Sequence, residues 1–156
     1  MPFAIRDLKP DDFELLWRMD QECFPPGISY SRQELKTYMR QQGAITLVAA
    51  DSGAAVGKEK IGGFIVAHGG LTAHVITIDV AAAARRSGVG SLLLRAAEDR
   101  VRSAGSQVVG LETAVDNLGA LAFYKRHGYS VVTTWPRYYS NGVDALVLRK
   151  GLVATR

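Results

Sequence analysis

Two stretches of this 156-residue chain hold residue types that do chemistry. The first is Arg85-Arg86-Ser87-Gly88-Val89-Gly90-Ser91, where two cations precede two closely spaced glycines. Glycine lets the backbone come close to a ligand. Where a helix opens just after it, the first N–H groups have no intrahelical partner and carry partial positive charge. With Arg85 and Arg86 beside them, these groups make a site for a phosphate or pyrophosphate. The second stretch runs from Glu112 through Asn117 to Tyr124. Glu112 sits between Leu111 and Thr113 in an otherwise apolar run. A carboxylate there is costly unless it is exposed, paired or functional. It reads either as a rim residue facing solvent or as a general base that removes a proton from an ammonium group, directly or through a water. Burial would raise its pKa towards the operating pH.

The familiar nucleotide motifs fail on specific residues. A P-loop needs a lysine and a hydroxyl residue after its last glycine, and here Ser91-Leu92 follows Gly90. A dinucleotide fingerprint needs a third glycine three residues on, and position 93 is leucine.

The elements that must position these residues follow from periodicity and punctuation. The β-branched run up to Val80 predicts a strand leading into the basic loop, and Ser91–Ala104 predicts the helix behind it, stopped by Gly105. Upstream, Phe3–Asp7 reads as a strand. Pro10-Asp11-Asp12 opens a first helix that ends at Pro25-Pro26-Gly27. Ser31 and Glu34 form a capping box for a second helix reaching about Gln42. The loop between these helices, Pro25–Tyr30, is stiff and carries exposed apolar groups. Ala44–Ala50 and Ile61–His68 read as a hairpin around an Asp51–Lys60 loop, and Leu71–Val80 as the next strand. Gln107–Thr113 is another strand, Asp116–His127 a fourth helix stopped by Gly128, and Tyr129–Trp135 and Ala145–Arg149 two closing strands. An Asn141-Gly142 turn signal lies between the last two. The order β-α-α-β-β-β-α-β-α-β-β predicts an α/β (α+β) fold with one mixed, twisted central sheet of about seven strands and four helices, spanning 1–156 as one domain.

Composition narrows the partners. Apolar residues are 47% and charged ones 22%, as in an ordinary globular chain. The formal charge of +4 suits a polyanionic ligand and is too mild to argue for nucleic acid. No apolar run nears the ~20 residues that cross a bilayer, so no membrane association is expected. The start, MPFAIRDLKPDD, lacks a signal-peptide core, and the single Cys23 fits a reducing cytoplasm. Cys23 has no sequence neighbour that would lower its pKa and reads as a small core residue. His68, His74 and His127 show no ligand spacing, so no metal is expected.

Arg85-x-x-Gly88-x-Gly90, five residues after the strand-ending valine, resembles the acetyl-CoA loop of the GNAT superfamily of N-acetyltransferases. So does Asn117-x-x-Ala120-x-x-x-Tyr124-x-x-x-Gly128-Tyr129. Leu111-Glu112, Tyr138-Tyr139, Asp144-Ala145 and Cys23-Phe24-Pro25 narrow the likeness to the RimI-type N-terminal protein acetyltransferases, and the likeness runs from Ile5 to about Lys150. The resemblance implies acetyl-CoA as cosubstrate. Backbone groups of Ile78, Asp79 and Val80 would meet the pantetheine and thioester, and Arg85 to Ser91 (including Ser87 and Val89) the pyrophosphate. Asn117 would bind the cofactor arm, against its other reading as a helix N-cap. Glu112 would be the base and Tyr124 the acid to the leaving thiolate, against Tyr124's other reading as a core aromatic. Tyr30, Tyr138 and Tyr139 would line the acceptor side. The implied reaction is direct acetyl transfer to an amine without metal or covalent intermediate. The acceptor would be a protein or peptide N-terminus, a ribosomal protein among the candidates, or else a small amine such as a polyamine, amino acid or drug. A non-catalytic CoA sensor is the remaining class, and the protein would be a monomer or homodimer. Two places depart from the relatives: Ala81-Ala82 replaces Asp-Pro after the strand valine, and Phe24-Pro25-Pro26-Gly27-Ile28-Ser29-Tyr30-Ser31 replaces a shorter acceptor-side loop.

Overall fold

A computed structural model describes residues 3–51, 53 and 59–153. The elements follow the expected order: β1 (Ala4–Asp7), a 3-10 turn (Pro10–Asp12), α1 (Phe13–Cys23), α2 (Arg32–Arg40), β2 (Ala44–Asp51), β3 (Lys60–His68), β4 (Thr72–Val80), α3 (Val89–Ser103), β5 (Val108–Ala114), α4 (Leu118–Arg126), β6 (Ser130–Trp135) and β7 (Ala145–Gly151). Most of the expected 51–60 loop lies outside the described residues. The seven strands form one sheet in the order β1-β2-β3-β4-β5-β7-β6. All neighbours are antiparallel except β4 and β5.

The sheet is sandwiched between two apolar layers. Leu16, Met19 and Leu35 of α1 and α2 pack with Val48, Phe64 and Val66 on one face. Val89, Leu93, Leu94, Ala97 and Val101 of α3 pack with Leu47, Ile65, Val75, Val109, Leu111 and Tyr124 on the other. Ser31 and Glu34 form the expected capping box, the Ser31 side chain accepting from the Glu34 N–H at 3.1 Å. Glu98 on α3 is 4% exposed, and it accepts from Tyr129 Oη at 2.7 Å and Lys150 Nζ at 2.9 Å. These bonds satisfy a carboxylate that would otherwise be costly to bury, and they pin α3 to the far half of the sheet.

Two of the sheet's irregularities, both on β4, shape the site. First, β4 and β5 stay in register only over Thr72↔Val108, Ala73↔Val109 and His74↔Gly110. Beyond His74 the two strands part, leaving one edge of β4 from Val75 to Val80 without a strand partner. Second, Val66 faces Thr77 but Ala67 faces Val75, so Ile76 is an extra, bulged residue in β4. The bulge reverses the inside–outside alternation: past it, Thr77 and Asp79 lie opposite Val66 and Phe64, on the α1 side.

Candidate active site

The parted strands open a cleft of about 1110 Å³ through the sheet. Every residue singled out as a site candidate in the sequence lines it except Asp79 and Ser87. Its lining includes Ile78, Val80, Arg85, Arg86, Gly88 and Gly90 on one wall and Glu112, Asn117 and Tyr124 on the other. Tyr30, Tyr138 and Tyr139 lie at one end.

The cradle begins earlier in the helix than expected. α3 starts at Val89 rather than Ser91, with Gly88 as its N-cap. The first helical bond recorded there is Leu92 N–H to Gly88 O at 3.0 Å, so the Val89, Gly90 and Ser91 N–H groups have no intrahelical acceptor. Arg86 (φ 64) and Gly88 (φ 84) are both left-handed, which turns successive N–H groups into one concavity. A side-chain Cβ at Gly88 would meet nothing within 4 Å, so glycine is used there for its backbone angle and not for want of room. The Ser87 hydroxyl is occupied by Ala84 O, and the Ser91 hydroxyl lies 2.8 Å from His127 Nε2 on the α4 side. Burial, then nearby Arg95, lowers the His127 pKa, so that imidazole is neutral at pH 7. An anionic diphosphate fits this set of unpartnered N–H groups and exposed arginines.

The β4 edge supplies the second part. Ala81 N–H donates to Gly62 O on β3 at 2.8 Å. In an antiparallel ladder alternate residues turn their amides to opposite edges, so Asp79 and Thr77 also face β3, while Ile76, Ile78 and Val80 face the cleft. Two bonds agree: Tyr30 Oη donates to Ile76 O, and Cys23 Sγ to Val80 O, both at 3.4 Å. The backbone groups of Ile78 and Val80 therefore face the cleft, and those of Asp79 do not. Its backbone belongs to the β3 ladder, and its side chain, in a residue 1% exposed, turns into the α1 layer. An extended, amide-bearing chain lying in the cleft would find at Ile78 and Val80 the open edge of a strand.

Glu112 is the focus of the other wall. It faces away from Leu111, as the alternation requires, and its side chain is 12% exposed. It is not a solvent-facing rim residue: His74 Nε2 lies 2.8 Å from Oε2 and 2.9 Å from Oε1, and Tyr138 Oη donates to Oε1 at 3.4 Å. Sequence inspection missed His74, which shows no ligand spacing and whose partner is 38 residues away. The signal lay in register: His74 sits opposite Gly110, just where β4 and β5 part. Tyr138 stacks edge-on with Tyr139 at 5.0 Å and tilts against Trp135 at 5.3 Å. Burial, then the Glu112 charge, pushes both phenols up, so both are neutral donors at pH 7.

Asn117 and Tyr124 each keep a free function. Asn117 Oδ1 accepts the Ala120 N–H at 3.1 Å, making it an N-cap, but Nδ2 is not used in that bond and the residue lines the cleft. Tyr124 is a core aromatic, 7% exposed, yet its hydroxyl has no hydrogen-bond partner among the described residues. Burial, then the Asp79 charge, pushes its phenol up. Cys23 is pushed up to about 11, first by burial and then by Asp79, which leaves it a thiol and a poor nucleophile. Among the described residues no group of three or more His, Cys, Asp or Glu is placed to hold a metal. No helix there is long and apolar enough to cross a membrane.

Comparison with known proteins agrees with this geometry. The family model described as "Acetyltransferase (GNAT) family" matches residues 13–129. The chain is 30% identical over 122 residues to N-alpha-acetyltransferase 30 of Schizosaccharomyces pombe, covering 74% of this chain and 77% of that protein. Of several other curated relatives the match covers half the length or less. Ard1 from Thermoplasma volcanium superposes with a TM-score of 0.86 at 26% identity, over 99% of this chain and all of that one. The ribosomal-protein-S18-alanine N-acetyltransferase of Escherichia coli shares the fold at a TM-score of 0.82, with 19% identity over 99% of this chain and 97% of that one.

Proposed function

The chain belongs to the GNAT family of acetyltransferases, with acetyl-CoA as the acetyl donor, and from that premise we propose that it acetylates the N-terminal α-amine of a protein or peptide. The observation that carries the choice of acceptor is the make-up of the tyrosine-lined end. Among the described residues the cleft lining holds two carboxylates, Glu112 and Asp116, and Glu112 is the one bonded to the 47%-exposed Tyr138. A polyamine site would need several carboxylates there to match several ammonium groups, whereas a single α-ammonium needs one. The names of the relatives support the same choice, since several are N-alpha-acetyltransferases.

Bound acetyl-CoA supplies a thioester whose acetyl group passes directly to the attacking amine nitrogen, with release of the thiol. The Val89, Gly90 and Ser91 N–H groups, with Arg85 and Arg86, hold the diphosphate; Ile78 and Val80 hold the arm along the β4 edge; and Asn117 Nδ2 donates from the opposite wall. The Glu112 carboxylate takes the proton from the incoming ammonium, and His74, bonded to the same carboxylate, fixes its rotamer. Tyr124, kept protonated by burial, offers its hydroxyl proton at the sulfur end. Tyr30, Tyr138 and Tyr139 wall the acceptor, and Tyr138 Oη steadies Glu112.

A second reading has one observation in its favour. Ser140 N–H and Oγ both donate to Gly27 O, at 3.2 and 3.0 Å, so the α1–α2 loop bridges to the β6–β7 connection and narrows the acceptor mouth. That narrowing suits a small amine. Mass spectrometry of peptides incubated with acetyl-CoA decides between the two. Peptides with a free α-amine and varied first residues should gain one acetyl group there, and blocked peptides with internal lysine should not. Turnover of small amines alone would overturn the peptide reading.

A further inference from the structure

Behind the cleft two carboxyl groups meet without a cation. Asp20, in the last turn of α1, is 0% exposed, and Asp79, on β4, is 1% exposed. They lie within hydrogen-bonding reach of each other. Each has one oxygen satisfied elsewhere: Asp20 Oδ2 accepts the Tyr30 N–H at 2.8 Å, and Asp79 Oδ1 accepts from Thr77 Oγ1 at 2.6 Å. The remaining oxygens, Asp20 Oδ1 and Asp79 Oδ2, have no donor among the described residues. Two facing carboxylates cannot both stay ionised in a dry interior, and two unpartnered acceptors cannot satisfy each other without a hydrogen.

We propose that Asp20 and Asp79 share one proton and act as a positioning pair that locks the acceptor-side loop, through Tyr30, onto the open strand of the cleft. One carboxyl donates O–H to the other across Oδ2 and Oδ1, which satisfies both orphaned oxygens at once. The doubly bonded Asp20 then holds the Tyr30 amide. The Tyr30 carbonyl is held as well, by Trp17 Nε1 at 3.0 Å and Gln21 Nε2 at 2.7 Å, both from α1. The fixed ring reaches Ile76 O, the carbonyl of the bulged residue, and lines the acceptor end. The bulge is what makes the pair possible, because it turns Asp79 to the α1 side.

Other groups facing the pair do not neutralise it. From α1 comes Cys23, a thiol; from the loop Tyr30 and from α4 Tyr124, both neutral phenols; and from α2 Glu34, whose charge opposes ionisation further. Arg85 acts on Cys23 and reaches Val80 O at 3.4 Å, and is not among the influences on either carboxyl. Burial accordingly pushes Asp79 well above the ordinary range, and Asp20 upward with it.

The proton count is testable without any activity. Above about pH 5 the unfolded chain has released both protons, while the folded pair retains one. Stability therefore falls as pH rises through this window, tenfold in the unfolding constant per pH unit for one proton. In Asp79→Asn the amide N–H replaces the shared proton and the slope disappears. Urea unfolding of both proteins should show wild type losing about tenfold relative to Asp79→Asn between pH 5 and pH 6. A ratio that does not move overturns the proposal. Should the variant fail to fold, NMR of wild type labelled at the aspartate carboxyl carbons still decides. One of the pair staying protonated at pH 6 supports the shared proton, and both titrating near the ordinary value of about 4 overturns it.

The positioning role rests on the proposed acetylation of an N-terminal amine and has its own readout. Asp79→Ala leaves Asp20 without its donor and should raise the acceptor KM about tenfold or more, with the acetyl-CoA KM within about twofold; Asp79→Asn should raise it less. An acceptor KM unchanged in Asp79→Ala overturns the positioning role. Absence of any peptide turnover in wild type would fail the proposed function, and the proton count would still decide for the pair.

Discussion

Replacing Glu112 by Gln tests the proposed chemistry at its centre. The glutamine keeps the size of the side chain and can still bond His74 and Tyr138, which now hold the carboxylate at 2.8 and 3.4 Å. The structural cost should stay near the ~1 kcal/mol of one weakened hydrogen bond. What is lost is proton acceptance, which contributes roughly 10²–10⁴ in rate, or about 2.7–5.4 kcal/mol of barrier. The Glu112 side chain is 12% exposed, so water can partly take over, and the expected loss lies near the lower bound, about 10²–10³ in kcat/KM for the acceptor. The acetyl-CoA KM should be unchanged, because no cradle residue touches Glu112. A continuous thiol-release assay with peptide acceptor at pH 7 reads both quantities. pH adds a sign. An α-amine with a pKa of about 8 is roughly one-tenth free base at pH 7, so raising the pH to 9 can restore at most about tenfold of the deficit. A lysine ε-amine, with a pKa near 10.4, would regain most of its share only above that pH. A variant within about threefold of wild type at pH 7, or one altered only in its acetyl-CoA KM, would remove Glu112 as the base.

Tyr124→Phe deletes a hydroxyl that has no partner among the described residues, so urea stability should change by less than ~1 kcal/mol while kcat falls about 10²-fold; equal kcat would exclude the phenol as acid. Gly88→Ala forces a side chain into φ 84 with no steric contact within 4 Å. Its cost is therefore conformational, about 1–2 kcal/mol, and should appear by calorimetry as roughly tenfold weaker CoA binding if the loop relaxes out of the cradle shape. Asp12 accepts two bonds from Arg6, at 2.8 and 2.9 Å, and the guanidinium holds its carboxyl below the usual range. Its stabilisation is complete above the unfolded value of about 4 and lost as pH falls through the lower folded value. The stability gap between wild type and Asp12→Asn should be present at pH 6 and close on acidification; a gap independent of pH would refute the assignment.

How much of this was legible in the chain depends on how local each feature is. The helix behind Gly88, the capping box at Ser31 and the stop at Gly105 are written in consecutive residues, and each formed within two residues of its expected place. Glu112 could be picked out because a charge stands out in an apolar strand. Its partner could not, since His74 belongs to a strand 38 residues away and is set beside it only by the β4–β5 register. Asp79 shows the same limit more sharply. Continuous alternation from Val75 would place it on the α3 face with Val75, inside a largely aliphatic layer. The extra residue at Ile76 sends it to the α1 face instead, beside Asp20 and within reach of the Thr77 hydroxyl. The same bulge leaves the Ile76 carbonyl free for the Tyr30 hydroxyl. One inserted residue thus decides which layer receives a buried carboxyl and ties the acceptor loop to the strand edge. Deleting Ile76 should therefore do more than shorten a strand: it would return Asp79 to an apolar face, leave Asp20 without its partner and take from the Tyr30 hydroxyl its acceptor, which predicts loss of folding in the variant and not merely loss of turnover.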